Sequence, residues 1–196
     1  MAYAIVFCLL IYLYTWQPIY NKLCSIHKQP EGDYTLAYKE VVTTGPIEWA
    51  KIFEDNRDMV GFNGAYEECQ GAYTVNQILS KEDFEKLKAA KSQKKPNQKR
   101  LMDGELVLKF ERKHLVTNRD GKEITQAGGA PKVVDQDGQP WDVDIQGTIG
   151  NGSIAQVTNL ISTFQGRDGK EYARTSLVSV KILEHVPIPE REDEAA

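Results

Sequence analysis

Between residues 91 and 100 the chain reads KSQKKPNQKR, where Lys91, Lys94, Lys95, Lys99 and Arg100 stand with no acid among them. Cations gathered in a polar, proline-broken stretch can neutralise phosphates and release their counterions. The plainer alternative is a mobile, solvated loop kept basic for solubility. A second set lies in residues 43–53, where period-2 alternation places Ile47, Trp49, Lys51 and Phe53 on one face. Rings beside a cation suit a surface on which unpaired bases stack while lysine meets phosphate. Equally, Trp49 and Phe53 can be core, with Lys51 snorkelling past them. Arg57 follows in the turn Asn56-Arg57-Asp58, either as a phosphate contact or as a partner for Asp58. Lys109 and Lys113 share the outward face of another alternating segment. Phe164, Arg167, Lys170, Tyr172 and Arg174 flank an Asp168-Gly169 turn.

Bond-making chemistry has no comparable signature. His27, His114 and His185 are isolated, no serine sits in a nucleophile elbow, and neither HExxH nor CxxC occurs. Cys8, Cys24 and Cys69 are too few and too scattered for a disulfide framework or a zinc ribbon, and read as free thiols. In DQDGQPWDVD, residues 135–144, Gly138 falls fourth and Gln146 twelfth. A calcium loop needs Gly sixth and Glu twelfth, so a turn at Asp137-Gly138 is the reading, and no metal or cofactor is expected. Gly147, Gly150 and Gly152 precede a strand pattern rather than Lys-Ser/Thr and a helix, which excludes a phosphate loop.

The elements that must position these residues are mostly strands. Asp168-Gly169 joins two long β-branched runs into a hairpin, with arms at about 153–164 and 170–185. Arms of that length bend around small closed β-folds. Along the second arm Val178, Val180 and Ile182 share parity with Tyr172 and Arg174, so a bulge or strong coil is needed to keep the tip wet and the base buried. Further strands are expected at 43–53, 71–79 and 104–114. The last has Leu106, Leu108 and Phe110 inward and Val107, Lys109, Glu111 and Lys113 outward. Ser80 with Asp83 three residues on starts a short helix over 80–90, which would brace the barrel.

Several of these blocks together resemble a family. They are GPIEWAKIFEDNRDM (45–59), PKVVD (131–135), Asp137-Gly138, GNGS (150–153), the hairpin, LEHV (183–186) and the acidic end EREDEAA. The set is similar to bacteriophage single-stranded-DNA-binding proteins of the podovirus replication type, with one OB-fold and an acidic C-terminal tail, and covers about residues 43–196. The resemblance implies an all-β class, a five-stranded OB-fold barrel with a short bracing helix. It also implies unpaired DNA as partner, Lys109 in the DNA cleft, and an aromatic near Phe164 in the stacking surface. Glu190, Glu192, Asp193 and Glu194 would form a tail that docks replisome proteins and competes with DNA. A homodimer in the host cytoplasm is implied as well.

The 196 residues suit one domain with extensions: an apolar segment and linker at 1–42, the nucleic-acid-binding domain at 43–187, and a disordered tail at 188–196. Of the net charge of −4, the tail carries four acids against one base, so the body is close to neutral and can still gather cations on one face. Residues 2–16 are almost wholly apolar but end at Gln17-Pro18, short of the ~20 residues a span needs. They read as a membrane-associated helix, an arm packed on a partner, or a segment ahead of the functional domain. No basic n-region or cleavage site marks a signal peptide. The expectation is a non-enzymatic protein that coats unpaired DNA in phage replication or recombination. One alternative is a membrane-associated β-domain interaction protein anchored by residues 2–16. Another is a nucleic-acid enzyme or its accessory subunit, built on Asp135, Asp137, Asp142 and Asp144.

Overall fold

The computed structural model describes residues 37–118, 120–166 and 168–188. Both halves of the sheet grow from one bent strand, β1 (Ala37–Lys51). Its first part pairs antiparallel with β5 (Ile154–Gln165), from Ala37 opposite Thr163 to Pro46 opposite Ile154. Its last part turns to β2 (Ala72–Leu79), from Ile47 opposite Gln77 to Lys51 opposite Thr74. The changeover falls at Gly45-Pro46. A Cβ on Gly45 would stand 2.3 Å from the Ile78 carbonyl oxygen, so only glycine lets the strands approach this closely. β1 also begins inside the stretch expected to be linker, because Val41 and Thr43 point into the core and register there against β5.

Outward from β1 the order is β3 (Leu106–Lys113), β2, β1, β5, β6 (Glu171–Glu184) and β4 (Lys132–Val134). All neighbours are antiparallel except β4, which lies parallel to β6. The described residues thus form a six-stranded mixed sheet where five strands are expected. β3 and β6 come alongside one another, yet no ladder joins them among the described residues. Arg112 of β3 spans that seam instead. It donates to the carbonyls of Gly128 (2.7 Å), Gly129 (3.0 Å) and, across on β6, Leu177 (3.4 Å). A guanidinium carries five donors in a fixed fork, enough to bind carbonyls of two separate segments at once.

The hairpin forms as expected, and the bulge it requires is present. The register shifts between Thr158 and Asn159 of β5, which face Ser179 and Leu177 of β6. The buried face of β6 therefore runs Thr175, Leu177 and then Val180, Ile182, with Val178 left half-buried. Tyr172 and Arg174 thereby stay exposed while the base of the same strand is core.

Three short α-helices and two single-turn 3-10 helices, Phe62–Gly64 and Glu67–Cys69, complete the described fold. In α1 (Lys81–Ala89) the Ser80 hydroxyl caps the Asp83 amide at 3.1 Å, and the Asp83 carboxylate accepts from the Thr44 amide of β1 at 3.0 Å. Leu87 enters the core from this helix beside Ile47, Ile52, Val75, Phe110 and Val157. Among the buried polar side chains, Gln77 is fully served, accepting from Thr43 Oγ1 at 2.6 Å and donating to Ala155 O, whereas the amide of Asn159 on β5 is buried with no hydrogen-bond partner among the described residues. The expected mobile basic loop is in part helical: Asn97 caps α2 (Gln98–Met102), and its amide donates to the Val107 carbonyl of β3. Val107, whose carbonyl takes that amide, is itself buried, although alternation alone places it outward. A single turn, α3 (Val143–Gln146), follows β4.

Candidate nucleic-acid interface

Near its end β1 bulges, and Trp49 takes a φ of 52°, in the left-handed region. Its amide donates to Asn151 Oδ1 at 2.8 Å, which holds the bulge in place. The strict alternation expected for residues 47–53 is thereby broken. Ile47 and Ile52 are buried and Phe53 packs half-buried against the core, while Trp49 is turned out and 65% exposed. Its indole walls an apolar cleft of about 470 Å³ with Ile149, Val186, Pro187 and Ile188, and Lys51 stands at the rim.

From that rim a polar stripe crosses the outer face of β1, β2 and β3. Register places Lys51, Thr74 and Glu111 in one row and Glu48, Asn76 and Lys109 in the next. Asp58, just after β1, takes both lysines on one carboxylate: Lys51 Nζ lies 3.8 Å from Oδ1 and Lys109 Nζ 3.6 Å from Oδ2. The Lys109 ammonium also sits 5.2 Å from the centre of the Tyr66 ring. Tyr66 donates its hydroxyl to Glu111, and Glu111 pairs with Lys94 at 3.1 Å. Glu111 and Lys94 then line a second cleft, of about 280 Å³, with Arg174 and Thr175 of β6.

Charge along this stripe is finely balanced. Burial works against ionisation of Asp58, but the Gly61 amide and the two lysines outweigh it and hold the carboxyl below its ordinary range. Glu111 is likewise held low, against burial, by Lys94, the Tyr66 hydroxyl and Lys109. Burial, with Glu111 beside it, pushes the Tyr66 phenol up. At the seam, burial and then the charge of Arg174 push Arg112 down, so positive charge is crowded there.

The expected binding residues thus separate. Lys51, Lys94, Lys109 and Arg174 are drawn into the stripe, with Trp49 at one end. Arg57 turns away to the Gln70 carbonyl (3.0 Å) and to Glu54, rather than to Asp58. Arg100 is held by Glu48 (3.0 Å) and Glu105 (2.6 Å). Lys95, Lys99 and Lys113 are exposed, with no ion pair among the described residues. At the hairpin tip Phe164 and Tyr172 stack with ring centres 5.9 Å apart, and Lys170 lies 3.7 Å from Asp168. Cross-strand register puts Phe164, Tyr172, Ser162 and Arg174 on the hairpin face opposite Ala173 and Thr175. Arg167, residues 2–16 and the acidic tail with Glu190, Glu192, Asp193 and Glu194 lie outside the described residues.

Sequence reasoning missed Asp58, Tyr66 and Glu111 as parts of this surface. Glu111 alone had a signal, since it alternates in phase with Lys109 and Lys113. Among the described residues no helix is long and apolar enough to cross a membrane.

No family model matches the chain, and no curated protein does. Among solved structures, the chain is similar to gp2.5, a single-stranded DNA binding protein encoded by bacteriophage T7, with 19% identity, 80% of this chain and 92% of that one covered, and a TM-score of 0.48. It is also similar to the single-stranded DNA-binding protein from bacteriophage Enc34, with 10% identity, 80% and 87% covered, and a TM-score of 0.47.

Proposed function

We propose that this chain is a non-enzymatic protein that binds and coats unpaired DNA, stacking bases on exposed rings and holding phosphates with lysine and arginine. One observation carries the reading. Cations from three separate segments, Lys51, Lys109 and Lys94, are aligned across one sheet face between an exposed indole at one end and Arg174 of the hairpin at the other. Ring surfaces interleaved with cations match a single strand, whose bases offer π-faces and whose backbone offers one charge per nucleotide. In this reading Trp49, Phe164 and Tyr172 are the stacking residues. The carboxylates Asp58 and Glu111 keep the lysines extended over the sheet and yield them to phosphate.

The test is a titration of the full-length protein with an unpaired oligonucleotide and with its matched duplex, read by tryptophan fluorescence at several salt concentrations. Quenching by the single strand, weaker affinity at higher salt, and loss of most of the quench in Trp49→Phe are expected. No response to the single strand, or equal affinity for the duplex, refutes the proposal.

A further inference from the structure

The connection from β1 to β2 carries the sequence Met59-Val60-Gly61-Phe62, and its apolar side chains face solvent: Phe62 is 84% exposed, Val60 54% and Met59 50%. Large apolar groups bunched at a loop tip expose surface that water disfavours, and such patches mark contact sites. The tip is not loose. Asp58 and Ala72 exchange both backbone hydrogen bonds at 2.9 Å, the Tyr66 amide donates to Val60 O at 3.0 Å, and the Ala65 amide closes on Phe62 O at 3.2 Å. The Tyr66 ring fills the space under Gly61, where an added Cβ would meet it at 2.5 Å, and Gly61 itself has a φ of 68°. The loop therefore presents Phe62 on a fixed pedestal.

That pedestal is also the root of the cationic stripe. Asp58, which takes Lys51 and Lys109, accepts the Gly61 amide on the same carboxylate at 3.1 Å. Tyr66, which supports Gly61, has the Lys109 ammonium over its ring. One carboxylate and one ring thus join Lys51 and Lys109 to the exposed phenyl group next in the chain.

Resting on the nucleic-acid reading above, we propose that Phe62, rimmed by Met59 and Val60, is a base-stacking wedge: an unpaired base lies on its ring while the adjoining phosphates take Lys51 and Lys109 from Asp58. The charge beside the tip selects this occupant, since a purely apolar partner gains nothing from two ammonium groups at its edge. No other part of the described surface combines a rigid apolar tip with paired lysines at its root.

The experiment uses full-length protein and an oligonucleotide carrying 5-iododeoxyuridine, which on near-ultraviolet irradiation cross-links to aromatic rings in contact with it. Expected are a cross-link that peptide sequencing places at Phe62, and an affinity about tenfold lower in Phe62→Ala, the size of one lost stacking contact. Phe62→Trp should restore affinity, whereas Phe62→Leu should not, which separates stacking from mere hydrophobicity. Three results would overturn the wedge while leaving the binding function standing: cross-links confined to other rings, unchanged affinity in Phe62→Ala, or a sedimentation change in that variant with affinity intact. The last would show that the tip joins two copies of this chain. If the wild type binds no oligonucleotide at all, the binding function falls, and the wedge falls with it.

Discussion

Replacing Lys51 and Lys109 together by alanine tests the stripe most directly, because both lysines answer to the same carboxylate. With Asp58 they form a trio of net charge +1, each ammonium within 3.8 Å of an oxygen. The lysine ends are nearly half exposed while Asp58 is mostly buried, so each pair contributes on the order of 1 kcal/mol, which a phosphate contact can offset. Each phosphate neutralised on a single strand adds about 0.7 to the slope of log K against log salt. Two lysines engaged with two phosphates should therefore account for about 1.4 of that slope. Between 50 and 200 mM salt, the wild type should then lose about sevenfold more affinity than the double variant. The assay is fluorescence anisotropy of a labelled oligonucleotide over that salt range, with Lys132→Ala on β4 as the control. Both side chains are nearly half exposed, so the double substitution should change thermal stability little. A slope equal to the wild type's, with the fold intact, refutes the assignment of these lysines to phosphates.

Two further outcomes concern the seam and the carboxylates. Arg112→Ala strips the fork from the Gly128, Gly129 and Leu177 carbonyls. Leaving such acceptors without donors costs about 1–3 kcal/mol, or roughly 4–8 °C in Tm for about 2 kcal/mol in a chain of this size. A calorimetric Tm within about 1 °C of wild type would mean the seam is held by something else. Asp58 and Glu111 are both held below their ordinary range in the folded state. The stability they contribute is therefore complete above the unfolded carboxylate value near pH 4, and is lost as pH falls through their lower folded values. Thermal unfolding followed from about pH 6 down to pH 2 should fall less steeply in Asp58→Asn than in wild type; superimposable profiles would refute that linkage.

Features with local signals were legible in the order of residues alone. Asp168-Gly169 between two β-branched runs set the hairpin, Ser80 with Asp83 set the start of α1, and alternation from Leu106 to Phe110 set β3. The parity of Val178, Val180 and Ile182 even required the bulge that the register shift at Thr158 supplies. Tertiary structure decided what depends on neighbours far along the chain. Trp49 faces solvent because Asn151, 102 residues away, holds its amide in a bulge that no periodicity reveals. Val107 is buried where the Asn97 turn meets β3, against its outward phase in the alternation. Between β3 and β6, where no ladder is found among the described residues, a side chain, Arg112, reaches the Leu177 carbonyl across the gap, which no strand pattern foretells. Above all, ion pairing is a property of assembled surfaces. Composition shows Lys51, Lys94 and Lys109 as separate cations, and only folding brings Asp58 and Glu111 between them and makes one continuous stripe.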